Sequence, residues 1–229
     1  MRHIRAAHSV VCAFVAFALA ANPARAQHED QLGLSCDKIL AMKPEKWAEL
    51  HNKRMPNGEL GYDDAYRAYA HCWSRRNEGL LARLPRAESE RIRKLASTCA
   101  SFRIDNLELQ QAYAGGGTMY THAQARGTVD DAQLVERLAR HYRKHQPTGH
   151  SRRSIAFRRV RARIAEMNPA SPSNNKTLAQ FSTGERARAA FSALRHEIDD
   201  VEKAMNTESY SMRDIVLKFM LASSRAFGG

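Results

Sequence analysis

The chain has 229 residues, with 36 Lys plus Arg against 24 Asp plus Glu, a formal balance of +12. With only 12 Gly, 7 Pro and 7% aromatic residues, its composition favours helix and argues against collagen-like, low-complexity or many-turned all-β architectures. Its length allows one domain or two small ones.

Arg2 and Arg5 precede an apolar run from Val10 to Ala21, and Ala24-Arg25-Ala26 follows with small residues at positions −3 and −1 before Gln27. This pattern predicts a signal peptide over residues 1–26, because a run of about a dozen apolar residues falls short of the roughly 20 that span a bilayer. Cleavage removes Arg2, Arg5, Arg25 and Cys12, leaving 33 basic against 24 acidic residues and the three cysteines Cys36, Cys72 and Cys99. The expected location is periplasmic or secreted, where thiols tend to pair. One cysteine must then be left over, and Cys36 is the candidate for a link between two subunits.

Two brief helices are expected over Cys36 to Met42 and Pro44 to Asn52, the second opening with proline in its first turn. Pro56-Asn57-Gly58 ends that segment. Tyr62, Ala65, Tyr66, Tyr69, Cys72 and Trp73 recur at spacings of three and four, as do Ile92, Leu95, Cys99, Phe102 and Leu109, so each set lines one helix face. The two helices, about Tyr62 to Leu84 and Pro85 to Tyr113, predict a long antiparallel hairpin folded at Leu84-Pro85-Arg86. That register places Cys72 level with Cys99 and favours a bridge between them, with Cys36 to Cys72 as the second pairing and three buried thiols as the remaining alternative.

Gly115-Gly116-Gly117 should stop the second helix, since glycine permits the positive φ of a helix terminus. Thr118 to Arg126 reads as a further turn or two. Thr128-Val129-Asp130-Asp131 resembles a capping box and predicts a helix to about His145, closed by Pro147 and Gly149. The next helix, about Arg152 to Met167, aligns Phe157, Val160, Ile164 and Met167 on one face. Residues 168–176 contain Pro169-Ala170-Ser171-Pro172-Ser173-Asn174-Asn175 and read as a linker between a helical domain over 27–167 and a C-terminal helical hairpin over 177–229, which can pack on the main domain. Ser182-Thr183-Gly184-Glu185 should open a helix to about Asn206, and Ser211 to Asp214 another that packs on the body rather than entering lipid, because it is short and carries Lys218. The expected fold is an all-α helical bundle.

From Arg137 to Arg163 there are ten Lys or Arg, three His and no Asp or Glu. Arg152, Arg153, Arg158, Arg159, Arg161 and Arg163 present forked donors suited to phosphate or carboxylate, so this segment is the candidate for binding an anionic envelope component. Export makes nucleic acid an unexpected ligand, and aromatics for base stacking are sparse in the segment. His141 and His145 stand four apart on a predicted helix, the spacing for a shared divalent metal, with His122 the nearest guess at a third ligand. No carboxylate lies between them, and Arg143 and Lys144 would repel a cation. His196 beside Asp199 and Asp200 reads as one side of ordinary ion pairs along a helix. Gly115-Gly116-Gly117-Thr118 follows a helix and lacks the Gly-Lys-Ser/Thr ending of a phosphate loop, and no serine stands in Gly-x-Ser-x-Gly. Neither a cofactor nor a catalytic set is expected.

Arg91 and Leu95, then Phe102-Arg103, then Tyr113-Ala114-Gly115-Gly116-Gly117-Thr118-Met119, with the early Cys36, resemble the LprI-like lysozyme-inhibitor family over about residues 80–127. The chain departs from the family pattern at Cys99, where a Trp is usual, at Ile104, where an acid is usual, and at Leu107 and Arg126, which stand where cysteines are usual. The resemblance implies an exported helical binding domain, with lysozyme as a protein partner. The expected function is a non-catalytic exported interaction protein. The alternatives are an anion binder using Arg152 to Arg163 and a metal-binding enzyme around His141 and His145.

Overall fold

The computed structural model of the chain describes residues 34–54, 59–115, 119–142, 153–206, 208 and 210–224. All regular structure among them is helical: α1 Cys36–Leu40, α2 Pro44–Arg54, α3 Glu59–Leu81, α4 Arg86–Ala114, α5 Met119–His141, α6 Arg153–Glu166, α7 Pro172–Gln180, α8 Gly184–Met205 and α9 Tyr210–Ser223. The chain is an all-α helical bundle, as its periodicity predicts. Residues 1–26, where a signal peptide is expected, lie outside the described residues.

Proline and glycine set several of these bounds. Pro44 occupies the first turn of α2, where its missing N–H is not needed. Gly115 ends α4 with φ +73°, and its N–H donates to the Gln111 carbonyl, as expected of a helix stop.

The buried side chains form two clusters. In the smaller, Ile39 of α1 and Trp47 and Ala48 of α2 pack with Ala65, Tyr66, Tyr69, Ala70 and Cys72 of α3 and with Ala125 and Val129 of α5. Its polar tips are satisfied: Trp47 Nε1 donates to the Ala65 carbonyl at 2.8 Å and Tyr69 Oη to the Met42 carbonyl at 2.8 Å. The larger cluster gathers Leu95, Cys99, Phe102 and Leu109 of α4, Leu134 and Leu138 of α5, Phe157, Val160 and Ile164 of α6, Leu178 of α7, Leu194, Ile198 and Val201 of α8, and Val216 and Met220 of α9. Helix α5 runs from one cluster to the other.

Helix pairing differs from the expected hairpin. The main partner of α3 is α5, and the main partner of α4 is α8. Cys72 therefore belongs to the small cluster and Cys99 to the large one, and they do not pair. Cys72 instead forms a disulfide with Cys36, with Cα atoms 5.1 Å apart, while Cys99 is a buried free thiol. Cys36 is thus spent within its own chain and does not link two subunits.

Two further expectations are corrected. Residues 168–176 are not a linker, because Ser171 caps α7 by accepting from Asn174 N–H and Pro172 fills the first position of that helix. Thr128 does not start a helix: α5 passes through it, and its hydroxyl donates to the Ala125 carbonyl at 2.6 Å. The C-terminal helices pack on the rest of the bundle, α8 along α4 and α9 against α4, α5 and α6. Arg213 ties them together, its guanidinium donating to the Met205 and Asn206 carbonyls that end α8. Among the described residues no helix is long and apolar enough to cross a membrane.

Candidate functional site

The arginine segment divides into exposed and committed residues. Arg158 and Arg159 are exposed on α6. Arg161 instead reaches Asp199 at 2.7 Å and Glu202 at 2.5 Å on α8. Arg163 donates to the Leu221 carbonyl at 2.7 Å and to Ser224 Oγ at 3.3 Å at the end of α9. Arg161 and Arg163 therefore hold helices together. Arg153 opens α6, and Arg152 lies outside the described residues.

His141 is the last residue of α5, and His145 lies outside the described residues. His122 is 19 residues earlier on the same helix, so at 1.5 Å per residue it stands about 28 Å away and cannot share a metal with His141. Among the described residues no group of three or more His, Cys, Asp or Glu could hold a metal ion.

His122 has a different partner. Its Nδ1 lies 3.2 Å from Asp63 Oδ1, where the aspartate is 6% and the histidine 48% exposed, and the Tyr62 and Tyr66 rings meet the imidazole edge-on. A buried carboxylate orienting a half-exposed imidazole makes two parts of a general-base array. The aromatic groups around it are phenols rather than a serine or thiol, so the geometry positions a hydrogen-bonding surface on α3 and α5. The other acidic stretches are also engaged. Asp64 faces Arg67 at 3.8 Å, and Asp199 pairs with Arg161 rather than with His196.

The residues carrying the family resemblance hold the fold. Arg103 makes a two-pronged pair with Asp131, at 2.9 Å from Nε and 2.6 Å from Nη2, with its side chain only 6% exposed. A Cβ at position 127 would overlap that guanidinium, so Gly127 is what lets the arginine lie against α5. Tyr113 Oη donates to the Met167 carbonyl at 2.7 Å and joins the end of α4 to the end of α6. Arg91 reaches the buried Glu208 at 2.7 Å.

Two polar constellations escape sequence reading. Glu136 of α5, nearly buried, accepts from Trp73 Nε1 at 2.8 Å and faces Arg76 at 3.4 Å and Arg140 at 2.5 Å, which locks α3 to α5. Asp105 of α4 and Glu197 of α8 lie close to each other at the α4–α8 interface. Burial raises both carboxyl groups above the ordinary range, and for Glu197 the nearby Asp105 charge raises it further. The signal for this pair is present in the sequence: Asp105 is spaced three and four residues from Phe102 and Leu109, and Glu197 from Leu194 and Val201, so each acid interrupts an apolar stripe. No protein-family model, curated protein or solved structure matches the chain, so a functional reading must be built from these residues.

Proposed function

We propose that the chain is an exported, non-catalytic helical interaction protein, with the LprI-like lysozyme inhibitors as the functional class it most resembles. The Cys36–Cys72 disulfide carries this reading: it stitches the segment following the leader-like residues to α3, and such bonds persist in oxidising compartments. Support also comes from Arg103, Tyr113 and Gly115, which serve helix packing and helix termination rather than presenting reactive groups. A purified chain beginning at Gln27 should slow lysozyme-driven lysis of cell-wall substrate in a dose-dependent way. Undiminished lysis at micromolar excess would remove the lysozyme class.

The exposed pair Arg158 and Arg159 favours a second reading, an anion-binding face on α6. Its mark is binding to acidic vesicles that weakens steeply with salt and falls when both arginines become Gln. Retention by the double variant would exclude this face.

A further inference from the structure

Helices α3 and α5 each send one arginine to the same buried oxygen. Arg76 Nη2 lies 3.4 Å and Arg140 Nη2 2.5 Å from Oε1 of Glu136, so these two nitrogens stand no more than about 6 Å apart. The other carboxylate oxygen, Oε2, accepts from Trp73 Nε1 at 2.8 Å. Glu136 is thus engaged at both oxygens, with its side chain only 10% exposed, whereas the Arg76 and Arg140 side chains are 45% and 54% exposed. Each guanidinium carries five N–H donors in a rigid fork, and the contact with Glu136 engages one terminal nitrogen of it.

One carboxylate cannot neutralise two guanidinium groups. Glu78, two residues beyond Arg76, is held by Arg93 at 2.6 Å, and Asp131 is held by Arg103. Asp130 is exposed and stands six residues before Glu136, about 9 Å along the axis of α5. Arg75 and Arg137, both exposed, add positive charge on the same two helices, and the chain from Arg137 to Arg163 contains no acid. Two like charges held this close repel, and an anion placed between them relieves that repulsion while accepting charge-assisted hydrogen bonds.

We propose that Arg76 and Arg140 form an oxyanion site at the α3–α5 seam, two guanidinium forks that take a phosphoryl group, with Glu136 and Trp73 as the buried frame that positions them. A phosphoryl group has several acceptor oxygens and can bond to both forks at once, which a monatomic anion does not. The site stands apart from Arg158 and Arg159 on α6, and it does not depend on the protein partner proposed above.

Trp73 reports on the site directly, because its indole is bonded to the carboxylate that both arginines share. Calorimetric titration of the chain with inorganic phosphate should show saturable binding with a parallel change in tryptophan fluorescence, and chloride at equal ionic strength should produce neither. Arg76→Gln and Arg140→Gln should each weaken phosphate binding by about tenfold, the loss of one charge-assisted fork, while the double control Arg158→Gln with Arg159→Gln stays within about twofold of wild type. Vesicles then identify the source of the phosphoryl group. Retention on phosphatidic acid vesicles but not on phosphatidylcholine, lost in both Gln variants, supports a lipid headgroup; phosphate binding without vesicle retention supports a soluble phosphate. No saturable phosphate binding by the wild type, or undiminished binding in both Gln variants, overturns the proposal. Should the Gln variants unfold because Glu136 loses its counter-charge, Arg76→Lys and Arg140→Lys keep the charge and remove the fork, and an unchanged affinity in both overturns it.

Discussion

At the residue scale, Gly127 looks like a helix weakness and is the condition for a buried ion pair. Alanine in mid-helix is worth about 1 kcal/mol more than glycine by propensity. Its Cβ, however, would overlap the Arg103 guanidinium, whose pair with Asp131 is buried at the arginine end. Breaking such a pair costs roughly 3–5 kcal/mol, so the packing effect should win and Gly127→Ala should destabilise the chain. Asp131→Asn should be at least as damaging, because it leaves Arg103 buried without its counter-charge. In an Arg103→Met background the propensity gain should reappear, and Gly127→Ala should become neutral or stabilising. Urea melts of the four variants give the cycle, and equal losses in both backgrounds would show that Gly127 serves something other than the arginine. Cys99 is a simpler case: burial first, then the charges of Asp131 and Glu197, push its thiol well above the ordinary range, so it should resist alkylation until the chain unfolds.

At the element scale, the helix bounds marked by proline or glycine are legible in the sequence, whereas the start of α5, the whole of α7 and the partner of each helix are not. Pro44, Gly115 and Gly184 mark termini through rules that act within one turn, and α2, α4 and α8 begin or end where those rules place them. The periodic faces of α3 and α4 were also real, since Tyr69, Cys72, Cys99 and Phe102 are all buried. A 3.6-residue period says that a face is covered without saying by what, and the helices meeting at Pro85 turn to different partners. Thr128 and Thr183 show the converse limit. Each looks like a cap, but its hydroxyl donates elsewhere: Thr128, inside α5, to the Ala125 carbonyl one turn earlier, and Thr183 to the Ala112 carbonyl of the packed α4. The proline- and asparagine-rich stretch after α6 read as a linker because Ser-Pro is a turn signal, yet the same dipeptide is a helix start when the serine caps and the proline follows. The buried Leu178 near the end of α7 tests this element. Leu178→Ala should cost about 2–5 kcal/mol in a denaturant melt, as for a leucine lost from a packed core. A tether between domains would lose almost nothing.

At the scale of the whole molecule, two cores of unequal make-up share one pair of long helices. The small cluster contains four alanines among its ten buried members, and its aliphatic content is Ile39 and Val129. Such a cluster buries little apolar area for the chain it orders, which is where a covalent tie contributes most. The Cys36–Cys72 bond closes a 36-residue separation and should stabilise by about 4 kcal/mol in the chain-entropy model. The large cluster holds its helices with bulkier aliphatic and aromatic groups and has no disulfide. Reduction should therefore act on one end of the molecule. Both tryptophans of the chain, Trp47 and Trp73, pack in or against the small cluster, so intrinsic fluorescence follows that end while far-ultraviolet circular dichroism follows every helix. In the oxidised protein the two signals should melt together. After reduction, or in Cys36→Ser, fluorescence should melt at a lower temperature than dichroism, because α5 and the hub at Glu136 keep the larger core closed after α1 and α2 have detached. Coincident melting in both redox states would mean that α3 and α5 couple the two cores into one cooperative unit, and the disulfide would then stabilise the whole bundle rather than its N-terminal end.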